Sequence, residues 1–233
     1  MRPTPDFWNP YGGQRWKVEH QVGVRVEGES GVRRSNPPGS PPVTVTRYLE
    51  AWGPQLRAAA AAAGIPLELL LMTVATESAA RWDGATYTYP PVRIEPGYTS
   101  DAETPHRISV GPMHLLLSTA RLVLKRPKLT RAELADLRTN LEAAARYIAD
   151  QRGRTGLDPI LVAAAYNAGS VADSSRHANP DYRNAWHLRS YRSHLDRAAA
   201  WYGDACAVLY GAHRPPVPKL EPKPPPAKIV TLK

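Results

Sequence analysis

The chain has 233 residues, room for one sizeable domain plus appendages, and a net charge of +9 that fits a partner carrying negative charge. Cys206 is the only cysteine, so an intrachain disulfide is excluded. The longest apolar run, residues 58–75, is interrupted by Gly64, Pro66 and Glu68, so no membrane span is expected.

Residues 1–42 differ in composition from the rest. The first residues have no apolar stretch of the kind a secretory signal needs. Trp8, Tyr11 and Trp16 are interleaved with Gly12 and Gly13, residues 22–26 alternate like a short strand, and residues 36–42 form a Pro-rich linker or wrapped loop. This irregular arm is too short for a core of its own. It reads as a strap packed on the main domain, with a wall-binding or virion-docking segment as the alternative. The main domain is expected over 43–211, followed by a Pro- and Lys-rich tail, 212–233, expected to be extended or disordered.

Thr44 or Thr46 is suited to cap a helix running to about Ala63, which Gly64 ends. Pro66 then fits the first turn of a second helix. From Leu67 to Ala75 nearly every face of that helix is apolar, which predicts burial rather than amphipathicity. Two carboxylates interrupt it on roughly opposite faces. Glu68 lies in the first turn, where the helix dipole suits a negative charge and water is expected near. Glu77 lies at the far end, where dipole and burial both favour its protonated form. A buried acid that holds its proton is what a general acid requires, although a lone Glu at a helix end is more often solvated or ion-paired.

An insert over 82–107 follows, rich in aromatics and prolines: Tyr87, Tyr89, Pro90, Pro91, Pro96 and Tyr98. Its length favours a functional loop. The aromatics are suited either to stacking on sugar rings or to anchoring a coil. Arg93 and Glu95 point the same way from an extended segment, and Glu95 is a candidate second carboxylate. Gly111-Pro112 is predicted to open a helix from Met113 to about Lys125. Thr130-Arg-Ala-Glu133 is a capping box. A helix over 140–152 carries Leu141, Ala144, Ala145 and Ile148 on its inner stripe, and Asp158-Pro159 starts another that Gly169 ends. Residues 179–182 read as a loop, and Ser193 is placed to cap a last helix through Leu209.

Several chemistries find no support. The seven histidines are scattered and no His-Glu-x-x-His or cysteine pair occurs, so no metal or other cofactor is expected. No Gly-x-Ser-x-Gly elbow, phosphate-binding loop or dinucleotide-binding glycine pattern is present. Residues 183–192 mix basic and aromatic side chains, but read better as a solvated face or groove rim than as a nucleic-acid site.

Four stretches in order, Thr76-Glu77-Ser78, Gly111-Pro112-Met113-His114-Leu115, Asn140-Leu141 through Ala144 to Tyr147, and Ala165-Tyr166-Asn167-Ala168-Gly169, resemble the SLT-type lytic transglycosylases. His114 replaces the family's usual Gln, Ala144 a usual Gly, and the insert after the first motif is a further departure. The resemblance implies a mainly α, lysozyme-like (goose-type/SLT) domain acting on peptidoglycan glycan strands. It implies Glu77 as the catalytic acid and base, with Ser78, Met113, His114, Tyr166 and Asn167 at the substrate. Cleavage between N-acetylmuramic acid and N-acetylglucosamine would leave 1,6-anhydro ends. A hydrolytic muramidase using Glu95, and a non-catalytic wall-binding or virion protein, are the alternatives. With no export signal, the expectation is a bacteriophage product made in the host cytoplasm. It would reach the wall during lysis or from the virion, with other virion or lysis proteins as partners of the arm.

Overall fold

A computed structural model describes residues 42–78, 92–169 and 194–211, together with the backbone of five short strands at 9–11, 14–19, 23–26, 81–82 and 87–88. The Pro-rich linker at 36–41, Tyr89 to Pro91, the 179–182 loop, the basic–aromatic stretch 183–192, Ser193 and the tail from residue 212 lie outside the described residues.

The arm carries more regular structure than its sequence suggests. Strands β1 (Asn9–Tyr11), β2 (Gln14–Glu19) and β3 (Gly23–Val26) form an antiparallel sheet in that order. Tyr11 pairs with Gln14 and Trp16 with Val26. Tyr11, Trp16, Val18, Val24 and Val26 are strand-favouring residues, and Gly12-Gly13 is the composition of a two-residue hairpin connection. β2 and β3 lie against the last helix of the fold.

Helix α1 (Val43–Ala63) begins after Pro42, so the predicted threonine caps are inside it. Thr46 Oγ1 instead donates 2.9 Å to the Pro42 carbonyl. Gly64, at φ 65°, closes the helix by donating its N–H to the carbonyls of Ala60 and Ala61. Helix α2 (Leu67–Ser78) is buried along almost its whole length, as its unbroken apolar composition requires. It packs chiefly on α8 (His194–Tyr210), and also against α1 and α7 (Pro159–Ala168). Glu68 departs from expectation: it is only 4% exposed, and Tyr210 on α8 donates its hydroxyl to Glu68 Oε2 at 2.9 Å. α8 crosses the first turn of α2 and takes the place expected of water. Burial and the Glu68 carboxylate push the Tyr210 phenol up to about 12.

A second antiparallel sheet joins β6 (Val92–Ile94), β7 (Ile108–Val110) and β8 (Leu115–Leu116), after the two-stranded pairing of β4 (Arg81–Trp82) with β5 (Tyr87–Thr88). β8 corrects the helix predicted from Met113. Residues 111–114 are a turn, Val110 pairs with Leu115 and Ser109 with Leu116, and helix α3 starts only at Leu117, ending at Val123. Gly111 at φ 74° and His114 at φ 43° are both left-handed, which breaks a helix at the point where the apolar run begins.

Between β6 and β7 the insert is anchored rather than loose. Tyr98 Oη donates to Asp101 Oδ1 at 2.7 Å, and Arg131 donates to both, at 2.6 and 2.8 Å. Arg121 adds a bond to the Asp101 carbonyl at 2.7 Å. For Tyr98 the anchoring reading therefore applies. The capping box at Thr130 is present and starts the short helix α4 (Arg131–Ala135). Asp136 caps α5 (Leu137–Asp150), whose inner stripe of Leu141, Ala144, Ala145 and Ile148 is buried as predicted. The single turn α6 (Arg152–Thr155) leads to α7, capped by Asp158 and ended by Gly169 at φ 84°. Among the described residues no helix is long and apolar enough to cross a membrane.

Candidate active site

The polar residues of α2 divide by what they bond. Thr73, Thr76 and Ser78 return their hydroxyl protons to the carbonyls of Leu69, Met72 and Val74 at 2.7 to 2.8 Å. Hydroxyls satisfied in this way can sit in an apolar helix without cost. Ser78 also meets Tyr48 Oη of α1 at 2.6 Å, so its hydroxyl ties α1 to α2. Tyr48→Phe should cost about 1 kcal/mol by deleting this bond. An unchanged urea midpoint would count against the tie.

Glu77 occupies the last turn of α2, with its side chain 15% exposed. Burial raises its carboxyl from 4.5 to about 7, and the positive charges of Arg197 and Arg93 oppose that rise. The direction is the one the sequence predicted, and burial is the leading cause. His194 Nε2 lies 4.0 Å from Glu77 Oε1 and 3.2 Å from the Ala163 carbonyl of α7. Burial drives the imidazole down to about 4, so it is neutral near neutral pH.

Tyr166 reaches this region from α7. Its phenol is pushed well above the usual range by burial and by the Glu77 carboxylate, which places the two groups within electrostatic reach. Its proton, however, goes to the Met113 carbonyl at 2.9 Å. The Met113 amide is held from the other side by Asn140 Oδ1, also at 2.9 Å. Tyr166 and Asn140 thus grip one peptide unit each of the 111–114 turn. The Met113 side chain is fully buried in the core.

His114, on that turn, is half-buried. Burial and then Arg93 hold its imidazole below the ordinary value, and its Nε2 has no hydrogen-bond partner among the described residues. Asn167, one residue beyond Tyr166, is exposed at the end of α7. Glu95 leaves β6 at the surface and pairs with Arg93, Nε to Oε1 2.8 Å.

The sequence reading missed His194 and Arg197. They stand three apart on α8, the spacing that shares a helix face. One signal was available: His194 opens a segment whose Leu195, Ala198, Ala199 and Tyr202 form a buried stripe. A histidine at the head of such a stripe belongs inside.

A mainly helical scaffold that buries one proton-holding glutamic acid at the end of its central apolar helix, beside a three-stranded sheet, is that of a lysozyme-like enzyme. Residues 55–188, more than half of the chain, match the transglycosylase SLT domain, and the chain belongs to that family. This makes it a lytic transglycosylase, a lyase acting on peptidoglycan. No curated protein matches the chain significantly.

Proposed function

We propose that Glu77 is both general acid and general base in a non-hydrolytic cleavage of the β-1,4 bond between N-acetylmuramic acid and N-acetylglucosamine. The observation that carries this reading is the burial of Glu77 at the end of α2, which holds its carboxyl at about 7. Such a group gives up and regains a proton near neutral pH, as the two halves of the reaction require. Protonated Glu77 donates to the glycosidic oxygen, and the bond to muramic C1 breaks with its electrons leaving on that oxygen. The muramic C6 hydroxyl then attacks C1, and the Glu77 carboxylate takes its proton. A 1,6-anhydro end forms, no water is consumed and Glu77 returns protonated. His114, on the turn braced by Asn140 and Tyr166, and exposed Asn167 are proposed to meet the glycan.

Hydrolysis through Glu95 is the second reading. It draws support from Arg93, which pairs with Glu95 and whose charge also acts on Glu77. The pairing also occupies Glu95 as an ion-pair partner, which favours the one-carboxylate route over activation of a water. Mass spectrometry of digested sacculi separates the readings. The expected result is anhydro ends from the wild type and from Glu95→Gln alike. Reducing ends that disappear in Glu95→Gln would assign the chain to the hydrolytic route, and absence of any cleavage product would leave a wall binder.

A further inference from the structure

His194 opens α8 with its ring buried between α2 and α7. A carbonyl oxygen only accepts, so the 3.2 Å contact with Ala163 O puts the proton of the neutral ring on Nε2. That same N–H is 4.0 Å from Glu77 Oε1, short of a hydrogen bond but closable by a shift of about 1 Å. Among the described residues, the other groups around the carboxyl are otherwise engaged or are charges. Tyr166 gives its proton to Met113, and the Thr76 and Ser78 hydroxyls are bonded within α2. Arg197 on α8 and Arg93 on β6 act on Glu77 by charge. Of these neutral donors, His194 has the Glu77 carboxylate as its second nearby acceptor.

We propose that His194 Nε2–H is a two-position donor: it rests on the Ala163 carbonyl while Glu77 is protonated and transfers to the Glu77 carboxylate once that group has released its proton. The proposal rests on the reading of Glu77 as the acid and base. The acceptor's charge drives the exchange, because a hydrogen bond to a carboxylate is roughly twice as strong as one to a neutral carbonyl. Ala163 O sits inside α7 and can retain an intrahelical bond when the imidazole leaves, so the move strands no acceptor. A neutral ring suits this work. An imidazolium would hold the carboxylate ionised and deprive Glu77 of its acid form, whereas a neutral N–H steadies the anion briefly and lets it reclaim a proton. His194 is therefore a positioning residue that acts through Glu77 and exchanges no proton with the substrate.

The test is an NMR titration of the full chain with carboxyl-labelled glutamate and imidazole-labelled histidine. In the wild type the His194 Nε2–H signal should move with the midpoint of Glu77 while the ring stays neutral. In His194→Phe, which keeps a ring and deletes the donor, the Glu77 midpoint should rise by about one unit, tenfold in proton affinity. His194→Gln, which keeps an N–H, should restore it. A His194 signal that ignores the ionisation of Glu77, a wild-type midpoint in the Phe variant, or a Gln variant that titrates like Phe would each overturn the proposal. The wild-type titration decides alone if the Phe variant does not fold. Glu77→Gln assayed on sacculi in parallel keeps the two readings apart, since cleavage retained there strikes the assignment of the acid and not the coupling.

Discussion

Glu77→Gln is expected to lose wall cleavage by about 10²- to 10⁴-fold and, above pH 7, to be more stable than the wild type. Both effects arise from the same burial. Glutamine fills the volume of glutamic acid and carries no titratable proton, so proton donation ends while packing persists. For stability the sign follows from the folded value of about 7 lying above the unfolded 4.5. The protonated acid is the form the fold prefers, so its contribution is fully present below pH 4.5 and is lost as pH rises through 7. Ionising the buried carboxyl then costs the wild type at most about 3 kcal/mol, and glutamine is spared this. Urea unfolding of the two proteins at pH 4 and pH 8 should show midpoints converging at the lower pH and separating at the higher. A gap that is the same at both would mean that Glu77 titrates as an ordinary surface acid. Clearing of sacculi at the wild-type rate by a folded Glu77→Gln would place the acid elsewhere.

The second large effect belongs to Asn140, which touches no substrate in this account. It is fully buried, donates to the carbonyls of Val110 at 2.9 Å and Leu134 at 3.2 Å, and accepts from the Met113 amide at 2.9 Å. Asn140→Ala removes all three bonds, leaves buried backbone groups unpaired and opens a cavity. The expected loss is about 3–5 kcal/mol. Gly111→Ala attacks the same contact from the other side. A Cβ there would stand 2.5 Å from Asn140 Cγ, on a backbone at φ 74° that side chains resist. A urea midpoint for Asn140→Ala within error of the wild type would show that the turn is held by other means.

The parts of the fold legible in sequence were those decided within a few residues. α2 was readable because apolar residues on every face have only one comfortable environment. The Thr130 box and the Asp158 cap were readable because a cap bonds amides two or three positions on. The run Leu115-Leu116-Leu117 was not, since three apolar residues carry no period to separate strand from helix. Strand pairing with β7 and the grip of Asn140 decided that case, and both come from elsewhere in the chain. At the site, Glu77 and the direction of its proton affinity were legible. The hydrogen-bond partners of Ser78 and Tyr166 were not legible, because hydroxyl direction depends on the approach of other elements. For His194 the only local signal was the apolar stripe it heads, and Arg197 had none.

The loop between β6 and β7 has a property that an engineer would value. Its ends are fixed by the strand ladder, and its middle is clamped by Asp101 and Tyr98 to Arg131 on α4. The turn that presents His114 is held separately, by α5 and α7. Loop and turn are thus braced by different helices, although β7 runs from one into the other. The segment is thus a discrete unit, set by its own anchors on β6, β7 and α4.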